Sequence, residues 1–270
     1  MPEIAIVIPA KNPGPEIIQT LESIAFQKAA PDQVILFDNN SDFDVQQYVL
    51  ENTKHISIAI EYHRSEVANS MGESWTKACN YSKCEWTILL PADDLLLPSA
   101  ISEIREAIYR FPTSNLIFGN MQLLVRNNIK ISLGKSDGTV EKLENQKPYL
   151  QMKVKGRNLI GGTACVAFRT NKLKELMPWN SDLNYLTDMD MYVKFLRLPG
   201  NCVQINKNIA VFRIHSQSLT GKLGTRQLEQ VKEFWKKTFY SNVPKIPFSV
   251  SFRIYVLCKF RLVFQRLLGA

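Results

Sequence analysis

A chain of 270 residues, 45% of them hydrophobic, can build one large α/β domain or two small ones. Ten of its 33 Lys and Arg but only two of its 25 Asp and Glu fall in residues 221–270, so that segment holds the entire net charge of +8. The neutral first 220 residues exclude a generally basic nucleic-acid binder, and leave an anionic partner, such as a membrane surface, for the tail alone.

Residues 4–8, Ile-Ala-Ile-Val-Ile, are a continuous apolar run of the kind that fills a strand buried on both faces. The opening has no basic leader and is too short for a signal peptide. No run of about eighteen uncharged apolar residues predicts a membrane span. The five cysteines are odd in number and include no C-x-x-C pair. Together these features lead us to expect free thiols and a cytoplasmic protein.

Pro9 ends the first strand, and residues 11–15, Lys-Asn-Pro-Gly-Pro, form a loop. A helix follows with Pro15 near its first turn, because Ile17, Ile18, Leu21, Ile24 and Ala25 recur at helical spacing. Residues 34–37 make a second strand, broken at 38–42 by Asp-Asn-Asn-Ser-Asp. Alternation of Ile56, Ile58, Ile60 and Tyr62 predicts a third strand over 56–62, ending at His63 and Arg64. A helix over 69–81 and a fourth strand over 86–90 come next. Pro98 opens a helix running to about residue 109, and a fifth strand begins at 116–118. Residues 123–133 read as a hairpin around 126–128. Gly161 and Gly162 precede an apolar run and suit a backbone that a ligand approaches closely. Residues 186–196 form a helix with a cap signal at Thr187 and with Met189, Tyr192, Val193 and Leu196 on one face. An extended run from 211 ends on a polar cluster containing His215.

Polar residues collect just past the strand ends: Lys11 and Asn12, then 38–41, then His63 and Arg64, then Asp93 and Asp94. In an open α/β sheet that edge binds ligands. Pro and Asp also make ordinary turns, but four polar clusters meeting at one edge favour a site. No G-x-G-x-x-G or lysine phosphate loop follows the first strand, so phosphates here would need carboxylates and a cation. Adjacent carboxylates after a buried strand repel each other, and a divalent cation on an anionic phosphate would offset them.

Five segments resemble the family 2 glycosyltransferases over residues 3–220. They are the opening strand through Pro9, the 34–42 segment with its Asp-Asn-Asn-Ser, Leu-Leu-Pro-Ala-Asp-Asp at 89–94, Thr-Asp-Met-Asp-Met-Tyr-Val-Lys at 187–194, and Arg-Ile-His at 213–215. The resemblance implies a GT-A fold: α/β, with a mostly parallel central sheet, helices on both faces and a C-terminal helical tail. Residues 1–125 would be the nucleotide-sugar half, 126–220 the acceptor and catalytic-base half of the same domain, and 221–270 a basic tail. The implied reaction is inverting transfer from a UDP- or dTDP-sugar to a glycan or lipid-linked glycan acceptor, in bacterial surface polysaccharide synthesis.

Position by position, the resemblance has Asp38 hydrogen-bond the base, with Pro9 and Arg64 lining the nucleotide. Asp93 would bind donor and metal (Mn²⁺ or Mg²⁺), with Asp94 beside it and His215 within reach of the metal or diphosphate. Asp188 would be the catalytic base. Two positions depart from the pattern. Pro91 replaces the first acid of the D-x-D motif, and Thr187 replaces the acid before the base, whose field Asp190 would partly restore. Trp179 could stack on an acceptor sugar or simply pack. A nucleotidyltransferase, which would release diphosphate, and a non-catalytic donor-binding partner remain alternatives.

Residues 251–268 are rich in bulky apolar side chains but carry Arg253, Lys259, Arg261 and Arg266, too many cations for a spanning helix. At about 100° per residue these cations scatter around the helix. The segment is read either as an interfacial helix on the inner face of the cell membrane or as a helix packed on the domain.

Overall fold

The computed structural model describes residues 1–125, 129–183, 185–214 and 226–268. Strand β1 (Ile4–Ala10) is central, and Ile4, Ile6 and Ile8 on it are wholly buried. Burying these three contributes roughly 5 to 9 kcal/mol as an upper bound. Around it lie β2 (Gln33–Asp38), β3 (Glu61–Arg64), β4 (Trp86–Leu89), β5 (Leu95–Leu96), β6 (Leu116–Val125), β7 (Ile129–Leu133), β8 (Val140–Glu144), β9 (Val166–Arg169) and β10 (Asn201–Ile214). Their order is β3-β2-β1-β4-β9-β6-β10-β5, with β7 paired to β6 and β8 to β10. The sheet is mixed. β3, β2, β1 and β4 are mutually parallel, as are β6 and β10, whereas β9 runs antiparallel between β4 and β6.

Register explains how the site forms. Ala10 pairs with Asp38 and Asp38 with Arg64, so three strand ends stand in one row. Pro9 lies at the end of a central strand without breaking a ladder. Val7 faces β4 and its carbonyl accepts from Leu90 N–H, so Pro9, two residues on, also faces β4 beyond the last paired residue.

Helix α1 (Glu16–Ala25) buries Ile17, Thr20, Leu21 and Ile24, one stripe at helical spacing that includes a polar residue. Helix α2 (Val45–Asn52) is capped by Asp44, whose carboxylate accepts Gln47 N–H at 2.9 Å. It has only Val45 and Val49 buried, too thin a stripe to show in the sequence. The third strand starts later than its alternation predicts: Ile56, Ile58 and Ile60 pack partly against the core without joining the ladder, and β3 begins at Glu61. Helix α3 (Met71–Asn80) opens with a reciprocal Ser70–Glu73 capping box. Helices α4 (Ala100–Arg110), α5 (Gln146–Lys155), α6 (Thr170–Leu176), α7 (Thr187–Arg197), α8 (Arg226–Phe239) and α9 (Phe248–Leu268) complete the set, with a 3₁₀ turn at Thr163–Cys165 before β9. The 123–133 hairpin is present as β6 and β7, with Val125 opposite Ile129. Among the described residues no disulfide forms, and no helix is long and apolar enough to cross a membrane.

Candidate active site

Asp38 closes β2 and is fully buried. Its carboxylate accepts from Ser41 N–H and from Tyr62 Oη, both at 2.9 Å, and Arg64 Nη1 lies 3.1 Å away. Arg64 also donates to Ser41 O at 2.7 Å. Burial, and then the bond to Asp38, push the Tyr62 phenol up to about 12. Tyr62 and Arg64 are two residues apart on β3 and so share a face, whereas His63 points the other way and stacks on Tyr81 at 3.6 Å between centroids. His63 therefore does not join the cluster, although the sequence places it at the same strand end. Asn12, at φ 45°, exchanges two 2.8 Å hydrogen bonds with Asp42 and binds Ser41 through its own N–H. Asn39 bonds Asn69 in both directions, so the loops after β1, β2 and β3 are laced into one platform.

The loop after β4 carries Pro91, Ala92, Asp93 and Asp94. From α1, the Thr20 hydroxyl sits 2.9 Å from the carbonyls of both Ala92 and Asp94, which explains why a polar residue occupies that helix's buried stripe. Asp94 is buried and accepts Arg213 N–H at 3.0 Å. Desolvation, followed by the charge of Asp93, holds its carboxyl well above the usual carboxylate range, and the contact with Arg213 only partly offsets this. Asp93 is half-buried. Arg213 is itself buried on β10, and its Nε and Nη2 lack hydrogen-bond partners among the described residues. The Arg-Ile-His pattern contains this arginine, but nothing in the sequence shows that its guanidinium is buried beside the carboxylate pair. His215 lies outside the described residues.

Asp188 is the second residue of α7 and is half-buried, its carboxylate accepting Met189 N–H at 2.8 Å. Thr187 does not cap the helix. The cap position is Leu186, and the Thr187 hydroxyl donates back to the Asn180 and Leu183 carbonyls. Asp190 pairs with Lys194 at 3.0 Å, one helical turn on, which weakens the field it offers Asp188. Burial pushes the Cys165 thiol up to about 12, with Asp94 and Asp188 both adding to the rise. Asp94 of the loop after β4 and Asp188 of α7 are thus both within electrostatic reach of one buried thiol. Asp188 also contributes, after desolvation, to raising the buried phenol of Tyr192.

Two other expectations resolve into packing. Trp179 is 1% exposed and sits edge-on to Trp75 and Phe168, so it presents no face to a sugar. Gly161 is demanded by the protein itself, at φ 108° with a Cβ falling 2.6 Å from Cys165 Sγ, whereas a Cβ at Gly162 would meet only the movable end of Met121, 2.8 Å away.

Residues 5–176 match the sequence family described as Glycosyl transferase family 2. The chain belongs to this family. Its similarity to an uncharacterized glycosyltransferase of Haemophilus influenzae is 22% identity over 240 residues, 87% of this chain and 78% of that protein. Among solved structures, S. aureus TarS 1–349 superposes with a TM-score of 0.67 at 13% identity, covering 94% of this chain and 70% of that one. The same protein in complex with UDP-GlcNAc gives 0.66 at 14% identity, covering 87% and 66%. This family 2 chain spans 40% of the longer TarS structure. At these identities the likeness is one of fold, and the fold is the GT-A type. The family match covers the platform, the Asp93–Asp94 loop and β9, while Asp188 and Arg213 lie beyond it.

Proposed function

We propose that the protein is an inverting glycosyltransferase that moves a sugar from a nucleoside-diphospho-sugar to an acceptor hydroxyl. The observation that carries this reading is the carboxylate pair after β4, its Asp94 buried and held by Arg213 N–H, in a chain of the glycosyl transferase 2 family; Asp188, on a different element, is a separate carboxylate suited to a general base. The nucleotide would lie on the platform of Pro9, Asp38 and Arg64. UDP- and dTDP-sugars are favoured because TarS 1–349 has been solved with UDP and with UDP-GlcNAc, and because Asp38, once Tyr62 or Arg64 turns aside, can accept the N–H of uracil or thymine.

A divalent cation would be held by the Asp93–Asp94 pair, where desolvation and then the charge of Asp93 disfavour an ionised Asp94 unless positive charge offsets them. Among the described residues no three acids, thiols or imidazoles gather to hold an ion by themselves. Donor phosphates, water and His215 would supply the remaining ligands. When bound, Mn²⁺ or Mg²⁺ neutralises charge on the departing nucleoside diphosphate. Asp188 takes the proton from the acceptor hydroxyl. The acceptor oxygen forms its bond to the anomeric carbon on the face opposite the breaking bond to phosphate, which inverts that centre. The nucleoside diphosphate leaves with the bonding electrons. The acceptor class is a glycan or lipid-linked glycan of bacterial surface polysaccharide synthesis, following the family resemblance, and such an acceptor would bring the enzyme to the inner face of the cell membrane.

One observation favours a second reading. With Thr187 standing where the family pattern has an acid and bonded back to its loop, and with Asp190 paired to Lys194, the family's acid pair is incomplete at Asp188. The chain would then be a donor-binding partner of an active transferase. A thermal-shift panel of UDP-, GDP- and dTDP-sugars with and without Mn²⁺ tests donor binding, and a true donor at saturation raises the melting temperature by several degrees. No shift with any of them in the presence of metal removes both readings. A shift without transfer or hydrolysis across an acceptor pool selects the second.

A further inference from the structure

We infer that α5 and the first half of α9 together form a docking surface for an anionic lipid bilayer. This deepens the membrane reading of the tail, and it rests on two sequence-remote elements that the fold brings together. Neither α5 nor α9 contains an acidic residue, and α5 with its following turn carries Lys147, Lys153, Lys155 and Arg157. Gly156 ends α5 at φ 66° and lets α9 close upon it, since a Cβ there would stand 2.9 Å from Ile254 Cγ1. Arg253 donates to Val154 O at 3.1 Å and so satisfies a carbonyl at the end of α5.

Helix α9 has two apolar faces. Val250 and Ile254 are buried against the body. On the far side Phe248, Phe252, Tyr255 and Val256, spaced as i, i+4, i+7 and i+8, are exposed, from 42% at Tyr255 to 83% at Phe248. On α5, Leu150 and Val154 are also each just over half exposed. Between the helices lies an open hollow of about 340 Å³ lined by Lys155, Arg157, Phe252, Arg253, Val256 and Leu257. An apolar floor with three cations on its rim suits acyl chains beneath phosphate headgroups. A second copy of the chain is the poorer occupant. Pairing the patch with itself across a two-fold axis would set Lys155, Arg157, Arg253 and Lys259 near their own like charges. Because α9 is too polar to cross a bilayer, it would lie along the surface.

The test is sedimentation of the full-length chain with vesicles of phosphatidylcholine alone or mixed with phosphatidylglycerol, at low and high salt. It reads binding only, so its outcome is independent of whether the chain transfers sugar. Wild type should pellet with the anionic vesicles and be released by salt. Each basic residue near an anionic surface contributes roughly five-fold in binding, so Lys155→Glu with Arg157→Glu should lower partitioning at least thirty-fold or so. Phe252→Ser with Val256→Ser should lower it too, while the remote exposed pair Lys28→Glu with Lys54→Glu should change it little. The charge variants touch only exposed side chains and keep the test open if the apolar variants unfold. Equal pelleting with neutral and anionic vesicles, no pelleting with either, or undiminished pelleting of the charge variants would overturn the proposal. So would self-association of the wild type, removed by the apolar variants, in a protein that ignores vesicles.

Discussion

Replacing Asp38 by Asn isolates the charge that holds the platform together. The wild-type carboxylate takes one hydrogen from Ser41 N–H, one from Tyr62 Oη, and faces Arg64 at 3.1 Å, all with the carboxylate fully buried. An amide can keep its oxygen toward Ser41, but its NH₂ then faces Tyr62 and Arg64. The phenol can turn and accept, whereas a guanidinium has no acceptor. The net loss is one charge-assisted hydrogen bond plus a donor-to-donor contact, about 1.5 to 3 kcal/mol. Because the Arg64 side chain is 41% exposed and can rehydrate, the lower part of that range, about 2 kcal/mol, is expected. At about 2 to 4 °C per kcal/mol for a domain of this size, the melting temperature should fall by about 4 to 8 °C without ligand, read by circular dichroism. Tyr62→Phe should cost somewhat less, and the double variant less than the sum of the two. A melting temperature unchanged within about a degree in Asp38→Asn would refute the network.

Gly161→Ala should destabilise by about 2 to 4 kcal/mol in denaturant titration, through both positive φ and collision with Cys165; Gly138→Ala, also at positive φ but with open space around it, should cost about 1 kcal/mol. Ser70→Ala removes the acceptor for Glu73 N–H and should cost about 1 kcal/mol, with amide exchange accelerated mainly in the first turn of α3. Asp190→Asn should change transfer by less than about three-fold, since Lys194 already pairs with that acid; a loss near that expected for the base itself would show that Asp190 takes part.

Strands β1, β2 and β4 were legible because they are buried on both faces and end abruptly at Pro9, Asp38 and Pro91. Helices α1, α3, α4 and α7 were legible for a similar reason, each having a wide apolar stripe. What periodicity cannot carry is pairing. Ile56, Ile58 and Ile60 face the core but have no ladder partner, and the antiparallel insertion of β9 between β4 and β6 leaves no mark on alternation. Helices α2 and α5 were not foreseen, since each buries only two residues and α5 turns Leu150 and Val154 outward. At the site, residue types and strand ends were readable, but side-chain direction was not. His63 sits on the wrong face, Trp179 is buried, Thr187 bonds backward, and Asp190 is paired one turn along its own helix. Arg213 and Thr20 were missed as partners of the carboxylate loop because their roles depend on strand β10 and helix α1 closing over it.

The most direct test of the account compares donor affinity and turnover in Asp188→Asn and Asp93→Ala, by calorimetric titration of the UDP-sugar with Mn²⁺ and by release of UDP. Asp188→Asn should bind donor nearly as the wild type does and lose transfer by about two to four orders of magnitude, the range for a general base. Asp93→Ala should weaken metal-dependent donor binding itself. Equal loss of donor binding in the two variants, or full turnover in Asp188→Asn, would contradict the separation of proton acceptor from leaving-group site on which the account rests.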